Sequence, residues 1–243
     1  MSLEEKISVL STLLDRIQRE YAPATFASSL GAEDMVVTDL IARKFPDIEI
    51  FTLDTGRLPE ETHRLTQDIS ERYAIRLRVF VPDQQALETH LKEHGANAFY
   101  QSVDLRKACC HIRKVEPLKR ALAGKRAWIT GMRRDQSVSR TELKPEAYDA
   151  DNGLWKFNPL ADWSQPEVWE YLRQFNVPYN ALHDRGYPSI GCAPCTRAIT
   201  VGEDIRAGRW WWENPEGKEC GLHVSALPAS RVAAIKPRLA TSK

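Results

Sequence analysis

The sequence predicts an α/β fold, a parallel twisted sheet with helices on both faces. Short apolar, β-prone runs alternate with helical stretches, as right-handed crossovers between parallel strands require. Several of those runs stop at loops of small or polar residues, and Pro59 with Glu60 and Glu61 gives a helix start after one of them. The chain of 243 residues is long enough for one such domain with a sizeable core.

In chain order, Ser2 and Glu5 have the spacing of a capping box. Leu3, Ile7, Leu10, Leu14, Ile17 and Tyr21 follow every three or four residues, the packing stripe of an amphipathic helix. Residues 24–28 read as a short strand that runs into Ser28-Ser29-Leu30-Gly31-Ala32-Glu33-Asp34, and Met35, Val36, Val37, Leu40 and Ile41 then carry a helix. Strand, small-residue loop and helix offer backbone N–H groups and a positive dipole end to an anion. The loop is neither the Walker pattern nor the dinucleotide fingerprint.

Residues 48–53 form a second strand that stops at Asp54-Thr55-Gly56. Residues 77–81 form a third, and residues 127–130 a fourth that ends at Gly131-Met132-Arg133-Arg134-Asp135. Ligands of such sheets bind beyond the carboxyl ends of the strands. Ser28, Ser29 and Gly31, then Leu53, Thr55 and Gly56, then Gly131, Arg133 and Arg134 are therefore the candidate binding residues.

Residues 109–118 read as helical, with Pro117 a kink or restart. Ser164 and Glu167 form a second capping box, and Val168, Tyr171, Leu172 and Phe175 give that helix an apolar face that ends before Pro178. A loop rich in Gly and Pro, 183–191, delivers the chain to Cys192. From about Glu203 the character changes: Arg206, Arg209 and the run Trp210-Trp211-Trp212 precede a polar stretch ending in Cys220-Gly221-Leu222-His223. The tryptophans are assigned to packing, and residues 224–243 to a mobile tail. The chain divides into an α/β domain, 1–203, and a C-terminal segment, 204–243.

Apolar residues make up 42% and charged residues 28%, and 34 Lys and Arg nearly balance 33 Asp and Glu. This composition argues against a dedicated nucleic-acid binder, and no apolar run approaches a membrane span. Met1-Ser2-Leu3-Glu4-Glu5 lacks the regions of a signal peptide, and five cysteines are an odd number, so a cytoplasmic location is expected. A homo-oligomer is compatible with the sequence.

Those cysteines divide into four and one. Cys109-Cys110 and Cys192-Ala193-Pro194-Cys195 offer four thiolates, a four-ligand metal centre, and leave Cys220 as a reactive thiol. Adjacent side chains diverge by roughly 100° on a helix. That suits separate irons of an iron–sulfur cluster better than one zinc ion.

The chain resembles the assimilatory adenylyl-sulfate (APS) reductases, cluster-containing relatives of the PAPS reductases. The resemblance rests on residues 29–34 (a modified pyrophosphatase loop), 53–56, Cys109-Cys110, the arginine loop 132–141, Cys192 with Cys195, and 219–223. It implies an adenine-nucleotide alpha-hydrolase-like sheet and a 4Fe–4S cluster on the four cysteines, with Cys220 as nucleophile. The implied reaction takes adenosine 5′-phosphosulfate to sulfite and AMP with thioredoxin as reductant, in sulfate assimilation and cysteine biosynthesis. Ala32 stands where ATP-using relatives often place a lysine, which fits a substrate already carrying an AMP-linked anion. Lys114, Arg133, Arg134, Arg206 and Arg209 are candidates to hold the phosphosulfate. His223 would lower the Cys220 pKa or orient the tail.

Three other readings compete. A PAPS-preferring reductase would need a further basic contact for the 3′-phosphate. A tRNA-thiolating enzyme would want a lysine-bearing ATP loop and a basic RNA surface. A non-catalytic cluster sensor would not need Cys220.

Overall fold

The computed structural model of the protein describes residues 1–136 and 140–213. Its first helix, α1 (Leu3–Glu20), starts at the predicted capping box: Ser2 Oγ accepts from Glu5 N at 3.2 Å and the Glu5 carboxylate from Ser2 N at 2.7 Å. Leu10, Leu14 and Ile17 of the stripe are buried.

The sheet has six strands: β1 (Ala24–Ala27), β2 (Glu49–Leu53), β3 (Arg78–Phe80), β4 (Ala127–Ile129), β5 (Glu146–Asp149) and β6 (Leu154–Phe157). Their order is β3-β2-β1-β4-β6-β5. The first four are the predicted strands, all parallel to their neighbours. The hairpin of β5 and β6 is an addition, and β5 runs antiparallel at the edge. Its strands mix polar and apolar residues without strict alternation, Tyr148 is 58% exposed, and no continuous apolar run marks the pair. A left-handed Gly153 makes the turn.

Helices cover both faces, and the period-two alternation of the strands feeds two cores. Phe26, Ile50 and Ile129 join Leu14 of α1, Met35 and Leu40 of α2 (Ala32–Lys44), and Tyr171 of α7 (Gln165–Gln174). Phe51 and Trp128 point the other way, against Leu118 and Leu122 of α6 (Glu116–Leu122). Each fully buried side chain of this kind contributes about 1.5–3 kcal/mol. Helices α3 (Glu60–Tyr73) and α4 (Gln84–His94) complete the crossovers on the β2–β3 side.

Helix α5 (Val103–Cys110), capped by Ser102, ends at the adjacent cysteines. The chain then continues into α6 through one π-helical turn, His111–Val115, rather than breaking. Pro117 has no N–H to give Arg113 O, and the wider turn absorbs that missing bond.

After β3 the chain returns across β1 to place β4 on the opposite side. The strand order therefore reverses between β1 and β4, a topological switch point that opens a crevice at the carboxyl ends.

Candidate active site and cysteine cavity

A cavity of about 260 Å³ occupies that crevice. Ser28, Ser29 and Gly31 line it from the loop after β1, Leu53 and Thr55 from the end of β2, and Gly131 from the end of β4. Lys114 of the π turn and Arg206 and Arg209 of the C-terminal stretch line its other side.

The β1 loop is held open by its own polar groups. Ser29 N and Ser29 Oγ both donate to Asp34 Oδ2 at 2.6 Å, and Leu30 N donates to Ser28 Oγ at 3.3 Å. Leu30 adopts the left-handed region, φ 61, and its side chain is buried. A left-handed non-glycine residue of this kind is tolerated where surrounding contacts fix it. Gly31 caps α2 without a side-chain bond, which leaves first-turn N–H groups without a capping acceptor at the edge of the cavity that Gly31 lines. Burial pushes the Asp34 carboxyl up to about 6, against the Ser29 bonds and a Gly131 backbone bond that pull it down. Gly131 must be glycine, because a Cβ there would overlap Asp34 Oδ1.

Gly56, Arg133 and Arg134 do not line the cavity. Gly56, at φ +68, turns the backbone beside the Arg113 guanidinium. Arg133 is 1% exposed and committed elsewhere: it donates to Glu33 at 2.8 and 3.0 Å, to Asp135 at 2.9 Å and to the Trp163 carbonyl at 3.2 Å. Arg134 pairs with Asp162 and donates to the Leu143 carbonyl at 2.8 Å. Both guanidiniums thus fasten the loop after β4 to its neighbours. Sequence reasoning also passed over lining residues: Trp128 and Thr130 inside the fourth strand, Gln136 and Arg140 in the arginine loop, and His183 and Ile190 before Cys192. The outward alternation of β4 marked Trp128, and the Gly/Pro loop marked Ile190. His183 opens the same loop, and burial lowers its pKa.

The cysteines meet at a second cavity. Cys109 and Cys110 at the end of α5 line it together with Cys192, Cys195 and four basic residues, Arg57, Arg106, Arg113 and Lys114. None of the four thiols is in a disulfide. The C-x-x-C loop is fixed by its backbone: Ala193 N donates to Arg57 O at 2.8 Å, Cys195 N to Cys192 O at 2.9 Å, and Trp210 N to Cys195 O at 3.3 Å. Thr55 Oγ1 lies 3.2 Å from Cys192 Sγ, and Arg113 donates to Thr55 O at 2.5 Å. Burial pushes the Cys192 thiol up, but Lys114, Thr55, Arg209 and Arg113 outweigh it and leave it below the ordinary value. Burial and the neighbouring Cys192 push Cys195 up to about 12.

The start of the C-terminal stretch is part of this wall. Arg209 bridges to Thr196 and donates to Ser189 Oγ and Ile190 O, both at 3.3 Å. Gly191 is what lets the Arg209 guanidinium pass, since a Cβ there would overlap it. Trp210 is buried between the Arg106 and Arg209 guanidiniums, 4.7 and 4.8 Å from its ring. Lys114, Cys192 and Trp210 line both cavities, so the two share one wall. Cys220 and His223 lie outside the described residues.

A crevice at the switch point of a mostly parallel sheet, walled by basic side chains, defines a nucleotide-binding α/β protein. Yeast FAD synthetase shares this fold, with a TM-score of 0.54 over 81% of this chain and 67% of its own, at 18% identity. The phosphoadenosine phosphosulfate reductase domain matches residues 23–198, and the chain belongs to that family. Adenosine 5′-phosphosulfate reductase of Allochromatium vinosum is 59% identical over 211 residues, covering 87% of this chain and 82% of its own. That of Burkholderia cepacia is 55% identical over 225 residues, 93% and 90% of the two chains. The phosphate complex of phosphoadenylyl-sulfate reductase from Candida auris superposes with a TM-score of 0.65 at 26% identity, over 82% of this chain and 98% of that one.

Proposed function

We propose that the protein reduces adenosine 5′-phosphosulfate to sulfite and AMP, with thioredoxin supplying the two electrons. The observation that carries this reading is the shared wall: Lys114, Cys192 and Trp210 line both the nucleotide-sized crevice and the cysteine cavity. The names of the relatives at 55–59% identity support it.

In this reading the nucleotide lies along Ser28, Ser29, Gly31, Leu53, Thr55 and Gly131, with its phosphosulfate toward Lys114, Arg206 and Arg209. The Cys220 thiolate attacks the sulfate sulfur, the bond from sulfur to the bridging oxygen breaks, and AMP leaves with that electron pair. Preorganised cations stabilise the charge that grows on the leaving phosphate. A thioredoxin thiolate then attacks Cys220 Sγ, sulfite departs, and a mixed disulfide forms. The second thiol of thioredoxin resolves it, leaving Cys220 reduced. The functional division at residue 204 follows: the segment from there contributes Arg206 and Arg209 to the crevice and leads to Cys220. His223, three residues on, orients that thiol or lowers its pKa.

The residues around the cysteine cavity fit a 4Fe–4S cluster. Four thiols line one cavity, the donor set that a four-thiolate cluster takes. Cys109, Cys110, Cys192 and Cys195 would hold it. Bound there, it would supply a compact anion between the Lys114 turn and the C-x-x-C loop, beside the sulfate end. Four basic side chains around the cavity suit that charge.

The test is to incubate anaerobically purified, cluster-loaded protein with labelled adenosine 5′-phosphosulfate and no reductant. A stable sulfo adduct on Cys220, discharged as sulfite by thioredoxin, is the expected result. A loaded protein that forms no adduct overturns the proposal. Turnover on the 3′-phosphorylated nucleotide at equal concentration separates the PAPS-preferring alternative.

A further inference from the structure

The three consecutive tryptophans do not share one role. Trp210 is interior, but Trp211 is 40% exposed and stacks edge-on against Trp212, with ring centroids 4.8 Å apart. Trp212 meets Tyr100 at 4.4 Å, and Tyr100 is itself 43% exposed. Val103 at the start of α5, 40% exposed, adds a further apolar residue from the same part of the chain. We propose that Tyr100, Trp211 and Trp212 form the docking surface for the protein dithiol that discharges Cys220.

Three observations select that occupant. Exposed aromatic side chains that form one cluster, rather than scattered single residues, mark interaction surfaces. This cluster is also rigid. Tyr100 OH donates to the Pro194 carbonyl, inside the C-x-x-C loop, at 2.8 Å. Glu213 N donates to Trp210 O at 2.9 Å, while the Glu213 carboxylate takes two bonds from Arg106. A surface held this way has little freedom to lose when a partner binds.

The second observation is chain distance. Six residues separate Glu213 from Cys220, and the seven extended steps from one to the other span at most roughly 25 Å. A small protein seated on the aromatic cluster therefore has Cys220 within tether range. The third is separation from the nucleotide: none of Tyr100, Trp211 and Trp212 lines the crevice. The partner sits outside while AMP leaves from inside. The chemistry asked of it is a solvent-exposed thiolate ringed by apolar surface, with a second thiol to resolve the disulfide. Its thiolate forms a bond to Cys220 Sγ, the bond from that sulfur to the sulfite sulfur breaks, and sulfite leaves with the electron pair.

This inference rests on the reading that Cys220 carries the sulfo group. The experiment compares full-length, cluster-loaded wild type with Tyr100→Ser and Trp211→Ser, driven either by thioredoxin or by dithiothreitol. Expected is a tenfold or greater fall in kcat/KM for thioredoxin. Dithiothreitol-driven turnover, AMP affinity and the rate of adduct formation stay within about twofold of wild type, and Trp211→Phe recovers most of the loss. Thioredoxin kinetics unchanged in both serine variants overturn the proposal. Equal losses with both reductants also overturn it, by assigning the cluster to delivery of Cys220. A smaller sedimenting species in Trp211→Ser assigns the surface to contact between copies of this chain. A truncation after His223 that reproduces the Trp211→Ser kinetics assigns it to the chain's own last residues. A wild type that forms no adduct defeats the reading of Cys220, a result distinct from any of these.

Discussion

Arg106 donates to both carboxylate oxygens of Glu213, at 2.6 and 3.0 Å, across 107 residues of sequence and in the interior of the protein. The side chains are 1% and 6% exposed. The pair ties the helix bearing Cys109 and Cys110 to the stretch that leads to Cys220. Glu213→Ala leaves a buried guanidinium without its carboxylate, and the expected loss is about 3–5 kcal/mol of stability. The measurement is the denaturant midpoint of the anaerobic holoprotein, with the slope unchanged. The double change Arg106→Met with Glu213→Leu should recover much of that loss, since it removes both charges. A double variant no more stable than Glu213→Ala would contradict this account.

This pair also shows where sequence reading stops. The four parallel strands and their loops were legible because local runs, turns and caps carry them. The first three strands and β4 lie where residues 24–28, 48–53, 77–81 and 127–130 place them to within a residue or two. The edge hairpin was not legible, because its strands mix polar and exposed aromatic residues. Among the site residues, Ser29 and Gly131 were legible as loop positions at strand ends. Arg133 was legible as a charge but not as a structural one. Its partner Glu33 is 100 residues away, and no local pattern says which of two adjacent arginines faces a ligand. The split of the tryptophan run into one interior and two outer rings likewise depends on α5, far off in sequence.

Asp34 gives a pH dependence with a definite sign. Burial raises its folded-state pKa to about 6 from an ordinary 3.8. The folded state therefore binds the proton more tightly than the unfolded chain. The stabilisation is fully present below the unfolded value and is lost as pH rises through 6. The expected change is about 2 kcal/mol between about pH 4.5 and about pH 7. Asp34→Asn cannot show it, so wild-type stability minus variant stability should fall by that amount over the interval. Denaturant melts at the two pH values measure it, and parallel curves would remove Asp34 as the cause.

Thr55 is 2% exposed, and its hydroxyl both accepts from Arg57 N at 3.2 Å and lies against Cys192 Sγ. Thr55→Val keeps the shape and deletes the hydroxyl. The half-buried Arg57 N–H then loses that acceptor, which costs about 1 kcal/mol. Cys192 also loses one of the groups that hold its thiol down. Iron per chain, measured after anaerobic dialysis against a chelator, should fall severalfold faster than in wild type. Equal retention would mean that Lys114, Arg209 and Arg113 suffice to hold Cys192 as a thiolate.

Arg133 and Lys114 should fail in opposite ways, although both were candidates to hold the phosphosulfate. Arg133 is spent on Glu33, Asp135 and the Trp163 carbonyl, so Arg133→Met should lower stability by about 3 kcal/mol. Below its melting temperature it should still bind AMP within a few-fold of wild type. Lys114 lines both cavities, and in the proposed reaction its ammonium would offset the negative charge that grows on the leaving group. Lys114→Ala should therefore slow adduct formation on Cys220 by a hundredfold or more, on the order of 3 kcal/mol of barrier, with a small change in melting temperature. Single-turnover mass spectrometry of Cys220 and a melt of each variant read both quantities. An Arg133→Met protein that melts like wild type but forms the adduct a hundredfold more slowly would return that arginine to the substrate.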